Sequence, residues 1–206
     1  GGHHIAGNAV AEGGLMLDLS AMRTVAVDPA ARTVRVGAGA LLADVDRATQ
    51  AHGLAVPLGI NSTTGVAGLT LGGGFGWLTR RHGMTVDNLL GATVVTAYGT
   101  LHAVSATAEP DLFWALRGGG GNFGVVTSFE FQAHPLSTVY GGVVAHPISR
   151  AGQAFAFYRE LTQAAPDELT VYFNFFADPA APDNKLAAMI ACHCGDSSKN
   201  TSRMRR

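Results

Sequence analysis

Glycine is concentrated in one segment of this chain, and that segment limits the folds that the sequence can adopt. The chain contains 27 glycines in 206 residues, and residues 59–83 are especially rich in them. Glycine weakens helices and strands because it loses more backbone freedom on folding than any other residue. We therefore predict no regular element in this segment.

Two interpretations of the glycine-rich segment follow from the residues alone. Successive glycines can turn their N–H groups inward and form a concave anion site, to which the nearby Thr63 and Thr64 hydroxyls add donors. Phe75 and Trp77 supply flat apolar surface. The segment is therefore either a pyrophosphate-binding loop without a lysine or a glycine-rich bend with buried aromatic rings.

Short strands and helices are predicted on both sides of the glycine-rich segment. Hydrophobic spacing and turn residues predict strands at residues 15–19, 25–27, 33–36, 93–97, 101–104, 125–131, 141–145, 169–176 and 185–192. Helices are predicted at residues 41–49, 110–117 and 151–164, and a loop at 178–183. Short strands interleaved with short helices predict an α+β fold. The pattern of the sequence changes from about Tyr140, and we place a domain boundary near Pro135.

Composition excludes several classes of protein. The net charge of −1 argues against electrostatic binding of nucleic acid, and no apolar run is long enough to span a bilayer. The chain has 47% hydrophobic and 14% charged residues, which predicts a soluble protein with a sizeable core. The two cysteines are too few for a disulfide framework, so a cytoplasmic and a secreted location both stay open.

Familiar catalytic and nucleotide-binding motifs are absent from the sequence or stand in the wrong context. The glycines of residues 119–124 match a dinucleotide pattern, but a predicted helix precedes them and a strand follows, the reverse of a Rossmann unit. No lysine follows a glycine-rich loop, and no serine-hydrolase elbow or zincin motif occurs. Cys192, His193 and Cys194 are adjacent on a predicted strand and cannot all face one ion, so no metal site is predicted.

The order of the motifs resembles one family. Gly1-Gly2-His3, the stretch 63–78, residues 111–114 and residues 117–127 occur in the order typical of berberine bridge enzyme-like FAD-linked oxidases, of the vanillyl-alcohol oxidase superfamily. The resemblance implies a PCMH-type FAD-binding domain, its second subdomain, over residues 1–135. It implies the beginning of an α/β substrate domain over residues 136–206. The part of the flavin domain that precedes the Gly-Gly-His loop is expected to be missing, and the substrate domain to be truncated.

The resemblance also implies the cofactor and its ligands. The histidine of the Gly-Gly-His loop, here His3, is expected to bond covalently to the 8α-methyl group of FAD. Asn61 stands where many relatives carry a second linking cysteine, so a single link is expected. Trp77 and Val126, with Gly76, are expected near the adenosine end. The complete set of expected FAD-binding residues is Gly1, Gly2, His3, Asn61, Thr63, Thr64, Gly65, Gly68, Leu69, Gly73, Gly74, Gly76, Trp77 and Val126.

The function implied by the resemblance is oxidation of a small organic substrate, an alcohol, a sugar or a secondary metabolite, by hydride transfer to the flavin. Dioxygen is the expected acceptor of the electrons. The alternatives are a truncated, non-catalytic FAD-binding fragment and a dehydrogenase of the same fold with another acceptor. No residue in the sequence identifies itself as a catalytic base.

Overall fold

The computed structural model describes residues 1–195, which divide into two compact units. The first unit is Gly1–Ser137, and the second begins at Thr138. Their identification as a flavin domain and the start of a substrate domain stays a prediction. The expectation of an unpacked polar tail at residues 197–206 lies outside the described residues. Within residues 1–195, no helix has the length and apolar character needed to cross a bilayer.

The first unit is built on a five-stranded antiparallel sheet. The first unit contains seven strands in all: β1 (Val25–Asp28), β2 (Thr33–Gly37), β3 (Leu54–Ala55), β4 (Leu89–Val95), β5 (Leu101–Ser105), β6 (Val125–Gln132) and β7 (His134–Pro135). The main sheet has the order β1-β2-β6-β4-β5, and β3 pairs separately with β7. The two predicted hairpins, β1–β2 and β4–β5, are confirmed.

Four helices connect and cover these strands: α1 (Leu42–Gln50), α2 (Val66–Leu71), α3 (Thr79–His82) and α4 (Pro110–Leu116). Helix α1 begins where the backbone N–H of Leu41 donates to Asp44 Oδ2 at 2.8 Å. It ends shortly before Gly53, whose φ of 64° is favourable only for a residue without a side chain. Helix α4 begins with a proline, which has no N–H to leave unpaired in the first turn.

The prediction that residues 59–83 contain no regular element is wrong. Helices α2 and α3 both lie in this segment. Glycine costs a helix only about 1 kcal/mol per residue relative to alanine, and tertiary packing offsets that amount. Val66 and Thr70 supply such packing, since both are fully buried on α2.

The core of the first unit lies between the main sheet and its helices. Phe129 and Phe131 of β6 are essentially inaccessible to solvent, and Val94 of β4 and Leu116 of α4 are completely buried. These side chains join one continuous apolar cluster that also includes Leu42 and Val45 of α1. The cluster fixes the loops at one end of α1 and α2, where the candidate site is found.

A bulge in β6 changes the face that the alternating pattern predicted. Val125, Thr127, Phe129 and Phe131 were expected on one face, but Val126 is buried together with the two phenylalanines. The register with β4 runs from Thr93 opposite Ser128 to Val94 opposite Val126, so Thr127 is an extra residue. An extra residue reverses the alternation on one side of itself, and this places Val126 in the core.

The predicted strand at residues 15–19 is also wrong. No strand pairing includes these residues in the part of the chain that the structure describes. Ser20 donates its N–H to Asp18 Oδ1 at 2.8 Å, and Met22 donates its N–H to the carbonyl of Leu19 at 2.8 Å. These two local bonds turn the backbone and end its extension.

The second unit contains a three-stranded antiparallel sheet and one long helix. Its elements are β8 (Tyr140–Pro147), α5 (Ala151–Ala164), β9 (Leu169–Asp178) and β10 (Ala181–His193), with the sheet order β8-β10-β9. These elements confirm the predicted helix and strands. Strand β10 begins inside the predicted loop, where Ala181 pairs with Asp178 before an irregularity that lasts to Lys185.

Candidate functional site

A cavity of about 900 Å³ lies in the first unit, beside the N-terminal residues. Three segments form its wall: the first twenty-three residues, the turn before α1, and the beginning of α2. The lining residues are Gly1, Gly2, His3, His4, Asn8, Ala9, Met16, Leu17, Asp18, Leu19, Ser20, Arg23, Ala38, Gly39, Leu41, Thr64, Gly65, Ala67, Gly68 and Leu69. We call this space the N-terminal cavity.

The N-terminal cavity brings together half of the residues that the resemblance selected. Gly1, Gly2 and His3 are separated from Thr64–Leu69 by sixty residues of sequence, yet they share one wall. The backbone amine of Gly1 donates to the carbonyl of Thr63 at 3.1 Å. The Cα of Gly1 would lie 3.2 Å from a Cβ on Gly65, so only a glycine allows this close approach without a shift.

His3 is exposed at the cavity, where its imidazole contacts a polar loop. Its Nε2 lies 3.4 Å from Thr63 Oγ1. The same hydroxyl donates to Asn61 Oδ1 at 2.8 Å, and the backbone N–H of Thr63 donates to that oxygen at 3.0 Å. Asn61 and Thr63 do not line the cavity themselves. Thr63 contacts the histidine that does, and Asn61 contacts Thr63.

The loop from Asn61 to Gly65 is anchored on α1 and on the turn before it. Leu42 and Ala43, in the first turn of α1, donate their N–H groups to the carbonyls of Thr64 and Ser62. Val66, the first residue of α2, donates its N–H to the carbonyl of Ala40 at 2.9 Å. The buried core beneath α1 therefore holds the loop in place.

Two carboxylates influence the charge of the cavity wall. Hydrogen bonds from the backbone N–H and the side chain of Ser20 hold the pKa of Asp18 below its usual value. Arg23 forms a bidentate ion pair with Asp44, its Nη2 lying 2.9 Å from Oδ1 and 2.8 Å from Oδ2. Burial raises the pKa of Asp44, but the hydrogen bonds from the Leu41 N–H and from Arg23 outweigh it and lower the pKa overall.

Three of the selected glycines lie away from the cavity, in contact with other backbone segments. Gly73 and Gly74 have φ values of 103° and 73°, which favour glycine. A Cβ on Gly74 would overlap the side chain of Thr85, and one on Gly76 would overlap the carbonyl of Leu58. The structure thus gives these glycines a packing role in the loop that follows α2.

Trp77 and Val126 also lie apart from the cavity wall. Trp77 is half-buried, and Val126 is 3% exposed within the core of the main sheet. A role of either side chain at the adenosine end of FAD stays a prediction.

Sequence reasoning missed the segment from Met16 to Arg23, because residues 15–19 were interpreted as a strand and residues 20–23 were given no role. This segment lines the cavity and passes close to the turn before α1. Gly39 donates its N–H to the carbonyl of Met22 at 3.0 Å, and a Cβ on Gly39 would overlap the carbonyl of Leu19. The polar residues Asp18 and Ser20, which follow an apolar run, were the available signal.

The residues of the cavity fit a large anionic ligand such as FAD. The cavity volume of about 900 Å³ lies within the roughly 300 to 1,000 Å³ that ligand pockets typically occupy. Helix α2 begins at the wall, and N–H groups in the first turn of a helix have no acceptor within it. Open space stands where Cβ atoms of Gly2 and Gly68 would be, so a ligand can approach the backbone there. Within residues 1–195, no group of three or more His, Cys, Asp or Glu side chains could hold a metal ion.

Known proteins resemble this chain over both of its units. A sequence family described as an FAD binding domain matches residues 1–105. The (R)-6-hydroxynicotine oxidase of Paenarthrobacter nicotinovorans is 43% identical over 136 residues, which are 66% of this chain and 30% of that protein. The crystal structure of 6-hydroxy-D-nicotine oxidase from Arthrobacter nicotinovorans superposes with a TM-score of 0.89 at 31% identity, covering 99% of this chain and 46% of the other.

A second solved structure, a berberine bridge enzyme variant that is a reticuline dehydrogenase, has a TM-score of 0.81 at 25% identity and covers 91% of this chain and 38% of its own. The chain spans only 28% to 36% of the length of the first curated relatives that it matches. The match to the FAD binding domain family nevertheless includes half of the chain. Together with the solved structure of the nicotine oxidase, it confirms the resemblance and the α+β flavin-domain fold. The chain belongs to the family of FAD-linked oxidoreductases that carry this FAD binding domain.

Proposed function

We propose that the N-terminal cavity holds FAD and that His3 carries it through a covalent bond to its 8α-carbon. The observation that supports this proposal most strongly is the position of His3. The imidazole stands at the wall of a cavity of cofactor size, which the beginning of α2 also lines. A neutral imidazole nitrogen is nucleophilic near physiological pH, and burial does not shield this one.

We propose roles for the other residues from the family resemblance, together with their positions where they line the cavity. Gly65 and Gly68, at the beginning of α2, would offer backbone N–H groups to the pyrophosphate. Gly1, Gly2, Thr64 and Leu69 would contact the flavin, while Gly73, Gly74 and Gly76 would hold the shape of the loop behind it. Trp77 and Val126 remain our proposed neighbours of the adenosine end. Residues 1–135 would form the flavin domain, and the residues from 136 onward would begin the substrate domain.

The proposed reaction is oxidation of a small organic substrate, with dioxygen as the electron acceptor. Bound FAD would supply hydride acceptance, and the chain would supply its orientation and exclude water from the ring. The similarity to hydroxynicotine oxidases supports an oxidase. A dehydrogenase with another acceptor is the second candidate, because a reticuline dehydrogenase is among the solved neighbours.

The reaction of the reduced protein with air distinguishes these two candidates. The full-length protein is reduced with dithionite under nitrogen and then mixed with air-saturated buffer, while flavin absorbance and hydrogen peroxide are recorded. An oxidase regains its absorbance within seconds and forms one peroxide per flavin. Slow recovery in air, with rapid recovery on addition of a quinone or a dye, would contradict oxygen as the acceptor and support the dehydrogenase.

A further inference from the structure

We propose that Thr63, oriented by Asn61, is a positioning residue that fixes which ring nitrogen of His3 carries the proton during attachment of the flavin. The inference rests on the proposed function, because it concerns the same histidine. It assigns to Thr63 and Asn61 a role that differs from direct contact with FAD. This role rests on the arrangement of two protons, that of the Thr63 hydroxyl and that of the His3 imidazole, among Asn61 Oδ1, Thr63 Oγ1 and His3 Nε2.

The amide oxygen of Asn61 determines where the hydroxyl proton of Thr63 lies. Asn61 Oδ1 can only accept hydrogen bonds, and it accepts two from Thr63, from Oγ1 at 2.8 Å and from the backbone N–H at 3.0 Å. The backbone N–H fixes which amide atom faces Thr63, because an NH2 group could not accept it. The single proton of the Thr63 hydroxyl is therefore directed to Asn61.

With its proton directed to Asn61, the Thr63 hydroxyl can only accept a hydrogen bond from His3. Thr63 Oγ1 lies 3.4 Å from His3 Nε2. An acceptor at this position favours the neutral tautomer with the proton on Nε2. Nδ1 then carries the free lone pair, and we assign the bond to the flavin to His3 Nδ1.

The attachment balances with dioxygen as the only co-reactant. A bond forms between Nδ1 and the 8α-carbon, and one C–H bond of that carbon breaks. The C–H hydrogen and the imidazole proton pass to the flavin, which gains two electrons, and dioxygen then removes both as hydrogen peroxide. While the bond forms, the imidazole becomes positive, and Thr63 Oγ1 stabilises the Nε2–H of that cation. Hydrogen bonds to charged groups are stronger than those between neutral groups.

The experiment measures the rate at which full-length apoprotein binds added FAD covalently. Samples are denatured in acid at intervals, and the flavin fluorescence of the protein band is recorded. Thr63→Val removes the acceptor and should slow attachment about tenfold, the loss expected for one charge-assisted hydrogen bond. Thr63→Ser keeps the hydroxyl and should attach FAD at nearly the rate of the original protein. Ser62→Ala, which removes the neighbouring exposed hydroxyl, is the matched control.

Two further measurements keep the result unambiguous. Flavin retained by the native variants on gel filtration shows whether Thr63→Val still binds FAD before attachment. The linked nitrogen is identified in the flavin-bearing peptide of the original protein, a measurement that depends on no variant. Slow attachment with retained non-covalent FAD, together with linkage through Nδ1, supports the proposal.

Different results would contradict the role of Thr63 and the proposed function. Attachment by Thr63→Val at the original rate, or linkage through Nε2, would overturn the role of Thr63 while leaving His3 as the attachment site. If the original protein never binds FAD covalently, the proposed function itself fails, and this inference fails with it.

Discussion

Thr70 and Thr49 show at the scale of single residues how the same side chain can stabilise or destabilise the fold. Both are completely buried in the first unit. Thr49 Oγ1 donates to the carbonyl of Val45 at 3.0 Å. Thr70 Oγ1 has no hydrogen-bond partner among the described residues. A buried polar atom without a partner costs stability, because it has lost its hydrogen bonds to water.

Thr70→Val should therefore stabilise the protein. Valine has the same shape and no polar atom, so the free energy of unfolding should rise by about 1 kcal/mol. Thr49→Val is the matched control and should lower that free energy by about the same amount, since it removes a satisfied hydrogen bond. Urea unfolding of the three proteins checks both signs. A loss of stability in Thr70→Val would show that its hydroxyl has a partner.

The candidate site depends on residue contacts that the sequence does not contain as a pattern. His3 and Thr63 are sixty residues apart, and their contact exists because α1 and the core hold the intervening chain in a loop. Order of motifs and family resemblance selected both residues, but no spacing rule predicts that Asn61 orients Thr63. The wall formed by Met16 to Arg23 was missed because residues 15–19 were interpreted as a strand.

At the scale of secondary-structure elements, the sequence was most informative where hydrophobic spacing dominates. The hairpins and the helices α1, α4 and α5 agree with the pattern because their burial follows periodicity. The strand at residues 15–19 and the face of β6 were predicted incorrectly. A ladder partner and a bulge at Thr127 both depend on other segments of the chain, so neither can be inferred from local alternation.

A substitution at Gly68 should affect the stability of helix α2 and the binding of the proposed cofactor in opposite directions. Gly68 lies inside α2, and a Cβ there would meet no atom within 4 Å. Gly68→Ala should leave the fold as stable as before or more stable by up to about 1 kcal/mol, because alanine favours helices. The added methyl group would enter the N-terminal cavity, so the flavin content of the purified protein should fall.

Flavin content and unfolding free energy measured on the same Gly68→Ala preparation test these two effects. Gly76→Ala is the contrasting variant, because its Cβ would overlap the Leu58 carbonyl and should destabilise the fold itself. Undiminished flavin in a stable Gly68→Ala protein would argue that FAD does not occupy the space above α2.

A stacked pair of histidines joins α3 to β7. The rings of His82 and His134 lie 4.0 Å apart, and His134 Nε2 donates to Asn88 Oδ1 at 2.6 Å. Asn88 in turn donates to the carbonyls of His82 and Met84, both at 2.9 Å. Burial, together with His134 and Arg81, lowers the pKa of His82 to about 4, and burial and Arg81 lower the pKa of His134.

These shifts predict that stability falls in acid. A histidine whose pKa is lower in the folded state than in the unfolded state binds protons preferentially when unfolded, so stability rises with pH in that range. For His82 the loss should occur as pH falls from about 6.5 towards 4. His82→Phe keeps a flat ring without a titrating group and should reduce this loss.

The pH test compares the unfolding free energy at about pH 7 and pH 5 for the original protein and for His82→Phe. His52→Phe, an exposed substitution on the segment after α1, is the control and should retain the full acid dependence. An equal loss in the original protein and in His82→Phe would show that other groups cause the acid sensitivity.

At the scale of the whole molecule, every wall of the candidate site belongs to the first unit. The lining residues run from Gly1 to Leu69, and the glycines behind them end at Gly76. Composition alone predicted little more than a globular protein, whereas the order of the motifs predicted the flavin-binding family that the family match confirms. The substrate could not be predicted, because neither composition nor motif order describes the shape of a substrate pocket.

The central claim is that FAD is bound covalently through His3. The measurement is the visible absorbance and flavin fluorescence of the acid-denatured protein band, for the full-length protein and for His3→Ala. Flavin should remain with the denatured original protein and be absent from the denatured variant, while native His3→Ala still binds FAD reversibly. A colourless original band, or colour that persists in His3→Ala, would contradict the account.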